Sequence, residues 1–228
     1  MSKNIPSPSL KIKVWDFPVR FFHWSLAICF AASWTSAELF DNAMQYHIYA
    51  GYATLVLILF RILWGFVGST TARFASFIRS FLTTLKYAGT LREPQPGKQI
   101  GHNPLGGWMV IAMLGFLLVQ AGTGLFASDD VVTQGPLAFW VGETLSDTLS
   151  GLHQQLFNFL LALVGLHIAA VLFYRFFKHD NLIVPMITGY KDLPNGIPAP
   201  HLHFVSNGRA FLLFGLVMIG VLVPISIV

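Results

Sequence analysis

GLHQQLFNFLLALVGLH, residues 151–167, carries the tripeptide Gly-Leu-His at each end of a strongly apolar segment. Its histidines, His153 and His167, are 14 residues apart. On an α-helix that spacing turns through four rotations less about 40° and rises roughly 21 Å, so both imidazoles leave one face at two depths. The apolar run around them, about 149–175, is long enough to cross a bilayer, which takes about 20 residues of helix. Ionisable side chains inside such a span are uncommon and usually functional, and their partners are to be sought at the same depth.

The rest of the chain supports a membrane setting. Of 228 residues, 54% are hydrophobic and 11% charged, well below the charged fraction of an ordinary soluble domain. Five stretches have spanning length: about 17–37, 44–67, 106–126, 149–175 and 209–228. The 14 Lys and Arg residues fall in three groups. Lys3, Lys11, Lys13 and Arg20 lie near the N-terminus; Arg61, Arg73, Arg79, Lys86, Arg92 and Lys98 lie around the second connection; Arg175, Lys178, Lys191 and Arg209 lie around the fourth. The first and third connections have none, and the acidic residues Glu38, Asp41, Asp129, Asp130, Glu143 and Asp147 gather there instead. The positive-inside rule then puts the N-terminus in the cytoplasm and the C-terminus outside. A net charge of +4 distributed in this way describes topology and gives no reason to propose nucleic acid as a partner.

MSKNIPSPSLKIKV has no short apolar core followed by a small-residue cleavage site, so no removed signal peptide is expected. The single cysteine, Cys29, excludes an internal disulfide and a CxxCH attachment of c-type haem. Between the second and third spans, RFASFIRSFLTTLKYAG repeats apolar residues at helical spacing. It predicts one helix over 73–89, lying on the membrane surface or packed under the bundle. Pro- and Gly-rich connections follow at 92–104 and 184–200. No long-period repeat is present, which excludes a solenoid.

Depth sorts the histidines. His23 lies about two turns into the first span from the cytoplasmic side, level with His167; His47 lies about one turn into the second from outside, level with His153. Two facing imidazoles at each level suit a haem, whose porphyrin supplies the other four ligands and whose apolar faces fit between helices. No Cys, Asp or Glu lies at matching depth to complete a closed zinc site. Two b-type haems follow, with His23, His47, His153 and His167 as iron ligands. Gly51, Gly151 and Gly165 leave room for flat rings near the backbone. Arg20, one turn before His23, and Arg61, at the inner end of the second span, are placed for the propionates of the cytoplasmic haem, or serve as positive-inside anchors. Interhelical hydrogen bonding would explain one buried histidine; it explains four in depth-matched pairs poorly. Of the remaining histidines, His102 is a candidate quinone contact or a loop and cap residue. His179 reads as interfacial, and His201 with His203 is weak evidence for a metal.

VWDFPVRFFHW at 14–24, HIYAGYATLVLILFRILWG at 47–65, GHNPLGGWM at 101–109 and the doubled GLH resemble the bacterial cytochrome b561 family, including the cytochrome b subunit of Ni/Fe hydrogenases. The resemblance covers about residues 11–192. It implies a four-helix transmembrane bundle holding two b haems, with the pairing that depth gives. It also implies electron transfer between a periplasmic redox partner, such as a c-type cytochrome or a hydrogenase or dehydrogenase subunit, and the quinone pool of the inner membrane. The fold class expected is therefore all-α and integral to the membrane, with a further C-terminal helix at 209–228 that the family core does not need. That helix would cover the bundle, pair protomers or dock a partner. An electron-transfer subunit is the leading reading. The alternatives are a self-sufficient quinone-linked oxidoreductase acting on a small molecule such as superoxide, and a haem-free transporter or scaffold.

Overall fold

The computed structural model describes residues 10–41, 43–93, 99–128, 133–193 and 200–227. Lys3, Lys98, Asp129 and Asp130 lie outside them. Helix α1, Phe17–Glu38, starts at Asp16, whose Oδ1 accepts from the Val19 amide at 2.9 Å. Pro18 sits in the first turn, where the N–H it lacks has no helical partner. A short connection returns the chain as α2, Met44–Val67, and Oδ2 of Asp16 accepts from Trp64 Nε1 at 3.0 Å. One buried carboxylate thus caps α1 and ties it to the far end of α2. Asp16→Ala is expected to cost about 1–2 kcal/mol. A thermal midpoint in detergent that did not fall would contradict this role.

The helix expected over 73–89 is two helices, α3 at Phe74–Phe77 and α4 at Phe81–Gly89. Ile78 is extended, and Ser80 Oγ accepts from the Thr83 amide at 3.3 Å to start α4 afresh. Phe77 turns into the core, while α4 buries Thr84 and leaves Phe81, Leu82 and Leu85 exposed. An apolar face turned outward beside membrane helices suits a helix lying on the lipid surface. The third span becomes α5, Pro104–Gly124, two residues ahead of expectation because Asn103 caps it and Pro104 opens it. Helix α6 runs Glu143–Phe176, six residues earlier than expected, after a 3-10 turn at Ala138–Trp140 and Gly142 at φ 74°. Its 34 residues reach roughly 51 Å, longer than the hydrocarbon core is thick.

Beyond α6 come α7, Ile183–Thr188, and a strand at Tyr190–Leu193 (β2). It pairs antiparallel with Leu10–Lys13 (β1), Leu10 opposite Leu193. This two-stranded ladder and an isolated bridge between Ser128 and Gln134 are departures from the all-α expectation. Helix α8, Asn207–Ile227, follows.

Helix α2 forms the centre of the bundle. Leu57, Ile58, Phe60 and Trp64 join Val14, Trp15, Val19 and Phe22 from the start of the chain, Leu114 and Leu117 from α5, Leu160 from α6 and Ala210 from α8. Helices α1, α5 and α8 pack on α2, and α6 packs on α5. By length and composition α2, α5, α6 and α8 can each cross a membrane. Helix α1 has the length, 22 residues, but Arg20, His23 and the hydroxyls of Ser25, Ser33, Thr35 and Ser36 dilute its apolar character. Phe159, Leu161, Leu166, Ile168 and Leu172 of α6 face outward, as side chains solvated by lipid do.

The end of the bundle that holds the β-ladder and α4 is the basal end; the Ala138–Trp140 turn marks the apical end. Basally, Lys191 Nζ sits 2.8 Å from Asp180 Oδ2 and donates to the Gln99 carbonyl at 3.1 Å, while Lys178 Nζ donates to the carbonyls of Thr90 and Glu93. Two lysines that read as topology signals in the sequence are thus buried ties between the end of α6, β2 and the segment after α4.

Candidate functional site

Helix α6 reaches α1 and α2 across the bundle through side chains at three heights. Basally, the rings of His23 and His167 face each other with centroids 6.2 Å apart and planes at 53°. Apically, His47 and His153 do so at 6.0 Å and 80°. Between the two levels Phe157 stacks on Phe30 at 6.1 Å and leans on Trp34 at 6.5 Å. A metal held between two imidazoles at about 2 Å from each nitrogen puts the ring centres roughly 6 Å apart. Both pairs match that separation. Among the described residues no group of three or more His, Cys, Asp or Glu converges as a metal site, so these pairs suit a group that brings its remaining ligands with it.

The apical pair is anchored through its Nδ1 atoms. His47 Nδ1 lies 2.8 Å from the Ser33 carbonyl, and His153 Nδ1 lies 2.9 Å from the Gln120 carbonyl. A carbonyl only accepts, so each Nδ1 carries the proton and each Nε2 keeps its lone pair. Thr123 Oγ1 adds a contact to His153 Nδ1 at 3.2 Å, and the Gln120 carboxamide lies 3.2 Å from His153 Nε2. A ligand at Nε2 requires that carboxamide to turn away. Its oxygen has no partner holding it in place.

The basal pair is built differently. His23 sits edge-on to Trp24, whose Nε1 donates to the Met186 carbonyl at 3.2 Å. Arg20 Nη1 donates to the Ile187 carbonyl at 2.6 Å. Arg61 is 2% exposed, lies over the Phe74 ring at 5.3 Å and is acted on by the Asp16 charge. His102 stands between Trp15 and Phe77, with centroids at 4.8 and 4.7 Å. Burial first, and then the charges of Arg61, His167 and His23, push it down to about 3, so its ring is neutral.

Five buried side-chain polar atoms lack a hydrogen-bond partner among the described residues: Arg20 Nε, His23 Nδ1, Arg61 Nη1, His102 Nδ1 and Gln120 Oε1. Each such atom costs about 1–3 kcal/mol and calls for an explanation. Four of them lie at the basal end, one on His23 itself, and the fifth belongs to Gln120, whose carboxamide meets His153 at the apical level. The residues present therefore fit a polar-edged group seated at each pair. Gly51, Gly151 and Gly165 have no neighbour within 4 Å of where a Cβ would stand, so no side chain fills their faces.

The profile of the prokaryotic cytochrome b561 family matches residues 14–189. The chain belongs to that family. It is a multi-pass membrane protein and an electron-transfer cytochrome of the b type, and haem b is the group the family implies. A probable Ni/Fe-hydrogenase B-type cytochrome subunit from Bradyrhizobium diazoefficiens is 26% identical over 213 residues, covering 78% of this chain and 85% of its own length. No solved structure matches. The family match ends before α8 of this cytochrome begins.

The site also includes residues that the histidine pattern does not point to. Gln120, Thr123 and Gly124 share one face of α5 at i, i+3 and i+4, and a Cβ on Gly124 would lie 2.9 Å from His153 Cε1. The available signal was Gln120 itself, a carboxamide in an otherwise apolar span. The Ser33 carbonyl carries no sequence signal.

Proposed function

We propose that this cytochrome holds two b haems, one between His23 and His167 and one between His47 and His153, and passes electrons across the membrane. The observation that carries the reading is the spacing of the two ring pairs, 6.2 and 6.0 Å, at two levels of one bundle. Haem b, when bound, supplies one-electron chemistry at its iron. The chain's residues do the rest: the four imidazoles clamp, Ser33 and Gln120 orient, Arg20 and Arg61 face the carboxylates of the basal group, and Gly51, Gly151 and Gly165 leave room. Residues 11–192 are then the haem-holding unit, and α8 is an added helix that covers α1 and α2.

By the distribution of Lys and Arg, the basal end faces the cytoplasm of a bacterial inner membrane and the C-terminus lies outside. The redox partner on the outer side is a hydrogenase-type subunit, as the name of the Bradyrhizobium relative suggests, or a c-type cytochrome. The quinone pool at the other end of the path follows from the family resemblance. Purified protein is expected to carry two non-covalent haems per chain and to be reduced by added quinol. A colourless preparation made with ample haem would end the reading. Haem-loaded protein inert to quinol would leave the haem sites standing and remove the quinone.

A further inference from the structure

The two histidine pairs differ in what surrounds their imidazoles. At the apical pair both Nδ1 atoms give their protons to helix carbonyls, Ser33 at 2.8 Å and Gln120 at 2.9 Å. At the basal pair His23 Nδ1 is buried without a partner, and the His167 ring makes no hydrogen bond among the described residues. Charge differs as well. Arg61 follows His47 by 14 residues, the spacing that separates His153 from His167. Helix α2 therefore sets a guanidinium at the basal level on the face where it sets an imidazole at the apical level. That guanidinium is buried, and its Nη1 is unpartnered. Arg20 adds a second cation one turn from His23. The Asp16 charge acts on Arg61, but Asp16 lies seven residues, about 10 Å along α1, below His23, whereas Arg61 stands at the level of the pair by its place on α2. The apical connections have no Lys or Arg and carry Glu38, Asp41, Glu143 and Asp147 in or beside them.

We propose that Arg61 raises the potential of the basal haem site and that the Ser33 and Gln120 carbonyls lower that of the apical site, so that these groups set the order of the two. The inference rests on the two-haem reading above. A carbonyl accepting from Nδ1–H makes the imidazole a stronger donor through Nε2 and favours the ferric state. A buried cation favours the state with one more electron, and it acts strongly because little water screens it. Both effects have the same sign.

Potentiometric titration of the purified full-length protein, followed by its reduced-minus-oxidised spectrum, tests this. The parent is expected to titrate in two waves. His167→Ala, which keeps the apical site, should retain the lower wave, and His153→Ala the higher. Arg61→Gln is expected to cut the ferrous-to-ferric ratio of the basal haem at a fixed ambient potential about tenfold, a downward shift of about 59 mV for one electron. The apical wave should stay in place, and Arg61→Lys should recover most of the shift. A single unsplit wave in the parent, the reverse assignment, or an Arg61→Gln variant that moves neither wave or both equally overturns the proposal. If Arg61→Gln does not retain its basal haem, the histidine variants still decide the order, and the basal wave of Arg61→Lys decides whether charge sets it. A parent that binds fewer than two haems refutes the two-haem reading instead.

Discussion

His167→Ala is expected to leave about one haem per chain where the proposed reading gives the parent two, and His153→Ala to do the same at the other level. The two sites draw on different residues of α1 and α2 and lie roughly 21 Å apart along α6, so each loss should be confined to its own level. At the basal site the substitution removes one side of a clamp whose other side, His23, has no second anchor for its ring, so a haem there would be held by one protein imidazole in place of two. At the apical site it also strips the Gln120 carbonyl and Thr123 hydroxyl of the group they orient. Haem quantitation against protein, with the low-spin spectrum of six-coordinate iron as the second readout, measures the effect. Both variants keeping two haems with unchanged spectra would show that these imidazoles do not ligate. The double variant should be nearly free of haem.

That the two facing ring pairs are legible in the sequence has a physical reason: a membrane span tolerates few ionisable groups, so those it contains are conspicuous, and helical geometry fixes their depths. His153 and His167 gave both levels from one helix, and His23 and His47 were matched to them by counting turns. Other features lacked that advantage. Leu10–Lys13 pairs with Tyr190–Leu193 across the length of the chain, and neither LKIK nor YKDL has a pattern that names its partner. The break at Ile78 depends on Ser80 capping a new helix within an unbroken apolar period. Helix α6 starts early because the turn at Ala138–Trp140 and Gly142 delivers the chain there, whereas hydropathy shows only where the lipid-facing part begins. Carbonyl anchors have no side chain to betray them, and Gly124 is one of several glycines near the end of α5.

Gly124→Ala is expected to unseat the apical haem while sparing the basal one. The added Cβ would stand 2.9 Å from His153 Cε1 and 3.2 Å from its Nδ1, distances that require something to move. The ring has little freedom to do so, because its Nδ1 is already tied to the Gln120 carbonyl at 2.9 Å and the Thr123 hydroxyl at 3.2 Å. Overpacking of this kind costs typically 1–3 kcal/mol. If the ring yields, it gives up the bond that orients it, and loss of such an orienting bond weakens a metal site about 10- to 100-fold. If the helices yield, α6 is pushed from α5, and the His47–His153 separation would open beyond the 6.0 Å at which the two rings could hold a haem together. Either route lowers retention of the apical haem during purification. The same substitution at Gly115, where no neighbour lies within 4 Å, is the control expected to change nothing. A Gly124→Ala protein with a full haem complement and the parent's lower-potential wave would mean that α5 does not seat His153, and that the ring is positioned from α6 alone.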